Sequence, residues 1–307
     1  MFVCDGAALA HRACQHDAVT EPQGRRSTPR VGVVFRPQLP PERLRPFLVR
    51  AEALRLDDVW LWEDCFLEGG LTTATAALAW TESVRVGLGL MPAPLRNPAL
   101  AAMEVATVAR LFPGRFVPAV GHGVQEWMAQ VGARAGSPMT LLREWTGAVR
   151  ALLHGERVSV AGEYVRLDGV ALDWPPPVAP PLLVGGRGPR TLALAGELAD
   201  GVVLDADIGP DGVRRSLARM ARGAEHEVVI YLLTAVGDGA RERLDAELAG
   251  SGQPGPDPAA AGSPEEVAEV IHRYAEAGVD TVVLSPTSAE PDLDGVIELA
   301  AAARERL

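Results

Sequence analysis

Lysine is missing from the 307 residues, so all 29 basic side chains are arginine. Without an ε-amine the chain can neither form a Schiff base with a carbonyl substrate nor build the lysine of a Walker-type phosphate loop. Cysteine is scarce. Cys4, Cys14 and Cys65 show no CxxC or other ligand spacing, which excludes a disulfide framework and points to a reducing cytoplasm as the expected compartment. No apolar run approaches the roughly 20 residues that span a bilayer. Positive charge is in deficit, with a net charge of −11 and no basic stripe interleaved with aromatics. Neither nucleic acid nor an anionic membrane is therefore an expected partner. Aromatics make up only 5% of the chain, so Trp60, Trp62 and Trp80 are read as core or barrel-helix filler. Residues 1–29 lack the order of a signal peptide. They are expected to form a disordered extension ahead of one domain spanning 30–307, and Cys4, Cys14, His11 and His16 within them are not read as a metal tail.

What the chain does have is a regular alternation of short buried runs and amphipathic segments. Strands are expected at 31–35, 58–63, 84–90, 116–121, 182–185, 201–205, 227–236 and 280–285. Between them fall helices such as the one that places Leu44, Phe47, Leu48, Ala51 and Leu54 on one face. Others are expected at 70–80, 189–199, 211–222 and 263–277. Asn97-Pro98 opens a helix running to Leu111, and Ser263-Pro264-Glu265-Glu266 reads as a capping box whose helix stops at Gly278. Eight strand–helix units imply parallel strands buried on both faces, and in under 300 residues they imply an α/β fold closed as a (β/α)8 TIM barrel. One insertion breaks the rhythm between the fourth and fifth strands, and "GSGQPGPDPAAAG" (250–262) reads as a linker.

Three pieces of sequence carry a family likeness: "GRFVPAVGHG", "LLHGERVSVAGEYVRL…PPPVAPPLLVGGRGP" and "GSPEEVAEVIHRYAEAGVDTVVL". On these the chain from about Val31 onward resembles the luciferase-like flavin-dependent oxidoreductases, which include bacterial luciferase and enzymes of the deazaflavin coenzyme F-420. The resemblance implies a TIM barrel with FMN or coenzyme F-420 at the carboxyl ends of its strands. Chemistry would be hydride transfer or oxygenation of a small organic substrate, and pairing into a homodimer through barrel helices is also implied. The alternative is a protein of the same fold that binds flavin without turnover, and a third is a barrel acting on unrelated phosphate esters.

Candidate site residues gather at strand ends, where a barrel carries its chemistry. Gly185, Gly186, Arg187 and Gly188 precede Pro189 at a helix start, where bare amides bind phosphate and glycine allows close approach; Arg187 could add a bidentate contact. By the resemblance, Gly89, Leu90 and Met91 bear the cofactor ring, with a bulge and a non-proline cis bond at Gly89-Leu90. His122 and Gly123 would line the cofactor, and His122 could serve as a general acid. Glu63 and Asp64 complete the catalytic set. Relatives hold a histidine at the position of Asp64, so an aspartate there must act as a base or a protonated acid, or else satisfies loop amides together with Glu63. Arg96 and Asn97 are read as helix-capping residues first. No metal is expected, because Glu63, Asp64, Cys65 and His122 fit no familiar ligand spacing.

Overall fold

The computed structural model describes residues 28–206, 208–220, 226–250 and 259–307. Most of the expected 1–29 extension lies outside them. The barrel strands are β1 (Arg30–Phe35), β2 (Asp58–Leu61), β3 (Arg85–Pro92), β4 (Phe116–Gly121), β7 (Leu183–Gly185), β8 (Gly201–Leu204), β9 (Glu227–Thr234) and β11 (Thr281–Pro286). Neighbours pair in parallel in the order β9-β11-β1-β2-β3-β4-β7-β8, and β8 pairs back onto β9 to close the ring. Closure pairs every strand of the ring on both sides over at least part of its length, and each strand is buried on both faces, as its continuous apolar run requires.

Helices α1 (Leu44–Ala53), α2 (Gly70–Ala79), α3 (Pro98–Leu111), α5 (Pro138–Leu153), α6 (Pro189–Leu198), α7 (Pro210–Met220), α9 (Pro264–Glu276) and α10 (Leu293–Arg304) follow the strands. Their starts obey local chemistry. Asn97 accepts from the Ala99 amide ahead of Pro98, and Ser263 with Glu266 completes the reciprocal capping box. Between β4 and β7 the insertion adds a short α4 (Gln125–Gln130) and the hairpin β5 (Val158–Ala161) and β6 (Arg166–Val170). Glu144 of α5 ties down that hairpin by accepting from the amides of Glu163, Tyr164 and Val165.

One local expectation changes. The described part of the 250–262 segment is not all linker, because β10 (Ala259–Ala260) pairs with Leu233 and Thr234 of β9. Helix α8 (Ala240–Gly250) precedes it. A two-residue strand has no sequence period and forms only where an edge of backbone is offered to it.

The core divides into two shells. Val31, Val33, Leu48, Val86, Met91, Val105 and their neighbours fill the space between barrel and helices. Val34, Trp60, Val117, Ala119, Leu183, Val203, Val229, Tyr231 and Val283 fill the barrel itself. The amino-terminal end of the barrel is closed by charge. Arg85 donates to Asp58 (Nε–Oδ1 2.9 Å, Nη2–Oδ2 2.8 Å) and to Glu227 (Nη2–Oε1 2.7 Å). Thr281 donates to Glu227 at 3.0 Å, and Arg30 stands 3.7 Å from it. Burial alone would raise the Glu227 carboxyl, but Arg85, Arg30 and Thr281 together bring it below the ordinary carboxylate range. Its contribution to stability is therefore complete above the unfolded value and lost as pH falls through the lowered folded one. Replacing Arg85 with Met would leave buried Asp58 without its cation and Glu227 with only Arg30 at 3.7 Å. The expected loss is about 3–5 kcal/mol, read as a lower urea midpoint at neutral pH with part of the loss recovered in acid.

Candidate active site

The opposite, carboxyl-terminal end opens into a cavity of about 420 Å³ lined by residues of β3, β7, β8 and β9 and of the segments that follow β2 and β4. Glu63, Asp64, Gly89, Leu90, His122, Gly123, Gly185 and Gly186, all expected at the site, meet there with Trp62, Pro92, Val124, Trp127, Asp205 and Tyr231.

The floor comes from β3. Its register with β4 shifts between Leu88 and Met91, and the Gly89–Leu90 peptide is cis, as the resemblance implies. A second non-proline cis bond, Cys65–Phe66, follows β2. The bulge turns Leu90 inward against the barrel interior, while Met91 is fully buried in the shell between barrel and helices. Met91 therefore does not reach the cavity, contrary to its expected place beside the ring. A β-carbon on Gly89 would run into Tyr231 Oη and the Trp60 ring, so only glycine lets the floor lie this low. Tyr231 donates to the Gly89 carbonyl at 3.3 Å and sits edge-on to Trp60 and Trp62, with centroids at 5.9 and 5.3 Å. Burial holds its phenol well above the ordinary tyrosine range. It therefore stays protonated and keeps its donor.

Tyr231, Asp205 and the cavity-facing role of Trp62 are absent from the expected site, and Trp62 is not the core filler expected of it. The signal for Tyr231 was one phenol in an otherwise aliphatic run, "EVVIYLLT". Every side chain of that strand is buried or nearly so, so period-two reasoning could not say which of them face inward.

Glu63 lines the cavity with both oxygens engaged. Arg96 grips it through two bonds (Nη2–Oε1 2.6 Å, Nη1–Oε2 2.8 Å), and the Gly70 amide donates to Oε1 at 3.1 Å. It thus locks the end of β2 to the first residue of α2. Arg96, read as a cap, is this clamp, and Asn97 alone does the capping. The neighbouring Asp64 makes no such bond. Burial pushes its carboxyl upward, against the opposing pull of Arg36 and Gln38. Arg36 itself is engaged elsewhere: it donates to Glu247 (3.0 Å) and to the Pro286 carbonyl (2.8 Å), and lies over Trp62 at 5.4 Å.

Gly185 and Gly186 reach the cavity, but Arg187 and Gly188 are not part of its lining. Arg187 turns to Asp205, with Nη2–Oδ2 at 2.6 Å. Gly188 is the N-cap of α6 and supplies no side-chain acceptor, so no capping side chain occupies the first turn of that helix.

His122 is held at both nitrogens. Nδ1 lies 3.3 Å from the Pro138 carbonyl and Nε2 lies 3.1 Å from Thr191 Oγ1. A carbonyl only accepts, so the neutral ring carries its proton on Nδ1 and accepts at Nε2. The ring therefore fastens the end of β4 to the starts of α5 and α6. Burial lowers its basicity, the Pro138 carbonyl opposes this, and the Arg190 charge adds to it. The folded ring thus binds a proton less readily than the unfolded chain. Stability should decline as pH drops below the unfolded histidine value of about 6.5. Urea midpoints measured from pH 7.5 to 5 should fall more steeply for the native chain than for His122→Gln; equal slopes would assign the titration to another group.

The comparisons with known proteins bear on the family and the fold. A family model described as luciferase-like monooxygenase matches residues 18–255. An F-420-dependent glucose-6-phosphate dehydrogenase from Mycobacterium avium is 32% identical over 191 residues, covering 57% of this chain and 56% of the relative. The chain spans under two thirds of the length of the curated relatives it matches. Among solved structures, an F-420-dependent secondary alcohol dehydrogenase superposes with a TM-score of 0.77 at 22% identity, over 90% of this chain and 99% of that one. The oxygenating constituent of 3,6-diketocamphane monooxygenase from Pseudomonas putida, in complex with FMN, gives 0.71 at 18%, over 91% and 97%. These two likenesses bear on the fold. Among the described residues no helix is long and apolar enough to cross a membrane. With the closed barrel, the bulged β3 and the matched family model together, the chain belongs to the luciferase-like monooxygenase family.

Proposed function

We propose that the cavity seats the ring of FMN or coenzyme F-420 and that the protein is an oxidoreductase acting on a small organic molecule. The observation that carries this reading is the mouth itself: a largely apolar cavity floored by the bulged Gly89–Leu90 segment and lined by Gly185 and Gly186, which lead to a helix start just beyond it whose cap is glycine. Those features fit a flat ring with an anionic tail. The tail phosphate would sit at the start of α6, against backbone amides rather than against Arg187. When bound, either group would supply the hydride or oxygen chemistry, and the protein positions it.

The chain's own groups then divide the work. Leu90, Trp62, Trp127 and Val203 exclude water. Tyr231 fixes the carbonyl of Gly89 under the ring, and Glu63 with Arg96 fixes the end of β2. Asp64, its carboxyl raised by burial, is the group placed to hold or take a proton at the second reactant. The family's likeness to F-420 enzymes and to an FMN enzyme supports either cofactor. A carrier that binds the ring without turnover is the competing reading.

Purified protein incubated with FMN and with F-420, read by fluorescence and native mass spectrometry, tests the seat. Binding followed by no reoxidation or reduction of any substrate would favour the carrier. The anion's place is tested at Gly188. Its φ of −73° suits any residue, and a β-carbon there meets only Thr191 Oγ1 at 3.9 Å. Gly188→Asp should leave stability unchanged or raised by a few tenths of a kcal/mol, because aspartate caps a helix well. It should weaken FMN at least tenfold while sparing phosphate-free riboflavin. Unchanged FMN affinity would remove the anion from α6.

A homodimer is also proposed, through α2 and α3. The segment GLTTATAALA carries no charge, and Leu67, Leu100 and Met103 are about half exposed beside it. Light scattering should show a dimer that Met103→Arg converts to monomer; a native monomer would overturn this.

A further inference from the structure

We infer that the second reactant is a non-anionic, largely apolar molecule whose one polar group is met by Asp64, and that carboxylates and phosphorylated sugars are rejected. The inference rests on the cavity being the substrate pocket of the oxidoreductase proposed above.

Three carboxylates line the cavity, Glu63, Asp64 and Asp205, and among the described residues no arginine does. The chain has no lysine to supply the missing charge. Two of the three carboxylates are already neutralised: Glu63 by the two-pronged Arg96, and Asp205 by Arg187 at 2.6 Å. Asp64 is different. It makes no salt bridge among the described residues; Gln38 and the charge of Arg36 act on it, but Arg36 is held by Glu247 and Pro286 and is not part of the lining. The remaining wall is mostly carbon, from Trp62, Leu90, Val124 and Trp127.

An anion entering this space would give up its water, gain no cation and face Asp64. An alcohol, ketone or amine loses less water and finds in Asp64 either an acceptor or, when protonated, a donor. Selection against the wrong partner thus comes from an unpaired like charge rather than from shape.

The test uses the full chain and three molecules of one shape: cyclohexanol, cyclohexylamine and cyclohexanecarboxylate, with glucose 6-phosphate as a fourth probe. Calorimetry and ligand-observed NMR are run with FMN or F-420 bound, and without cofactor in saturating inorganic phosphate, so that the start of α6 is filled in both. The alcohol and amine should bind, and the two anions should bind about 30-fold more weakly or worse, the scale of a like-charge contact in a partly buried site. Asp64→Asn should remove the preference for the amine and keep the alcohol. Asp64→Arg, checked for folding by circular dichroism, should admit the carboxylate. Either anion binding as tightly as the alcohol would overturn the inference, as would binding of none of the probes by folded protein. If neither cofactor binds while the charge order holds, the cofactor reading fails and the charge reading stands. If a cofactor binds but the charge order is absent, the charge reading fails and the cofactor reading stands.

Discussion

The indole of Trp60 occupies the middle of the barrel, and both ends of the molecule are built around the space it takes. It is fully buried, and β-carbons on Gly87 or Gly89 would enter or crowd its ring. Two alternate positions of β3 must therefore be glycine. Below, the indole N–H reaches Asp58 at 3.4 Å and so touches the charged plug around Arg85. Above, its ring supports Tyr231, whose hydroxyl holds the carbonyl of Gly89 at the cavity floor. A single large side chain thus sets the depth of the site and links it to the stabilising end. Interiors packed at crystal-like density transmit such constraints because no slack is left to absorb them.

The two ends use charge differently. At the amino-terminal end the carboxylates of Asp58 and Glu227 share Arg85, and the network is largely closed to solvent and serves stability. At the mouth, Glu63 and Asp205 sit in salt bridges while Asp64, among the described residues, does not. That difference separates carboxylates that hold the frame from the one positioned to act. A titratable group left unpaired in a partly buried cleft costs stability that a structural role would not explain.

The start of α6 shows how a glycine-rich stretch divides its tasks. Gly185 leaves room for Leu90, Gly186 leaves room for Thr191, and Gly188 leaves the helix start without a side-chain cap. His122, tied to Thr191 and Pro138, holds that helix start against β4. A histidine at a strand end invites a catalytic reading, but its two ring nitrogens already have partners in the protein.

Much of this was legible in the amino-acid order. Buried runs of four to ten residues, alternating with segments of helical period, determined eight parallel strands in a ring. Asn97-Pro98 and Ser263-Pro264-Glu265-Glu266 determined where helices begin, because capping is satisfied within a few residues. The strand ends also determined which stretches would meet at the mouth. What the chain order left open was decided by closure and register. Whether Leu90 or Met91 turns inward depends on a bulge against β4, about thirty residues away. Whether Arg96 and Arg187 face a ligand or a carboxylate depends on Glu63 and Asp205, brought beside them by neighbouring strands. That Tyr231 rather than Leu232 sees the cavity follows from the parity of a strand buried on both sides. Local propensity and periodicity act over a few residues, whereas pairing of charges and choice of face are set only when distant strands come into contact.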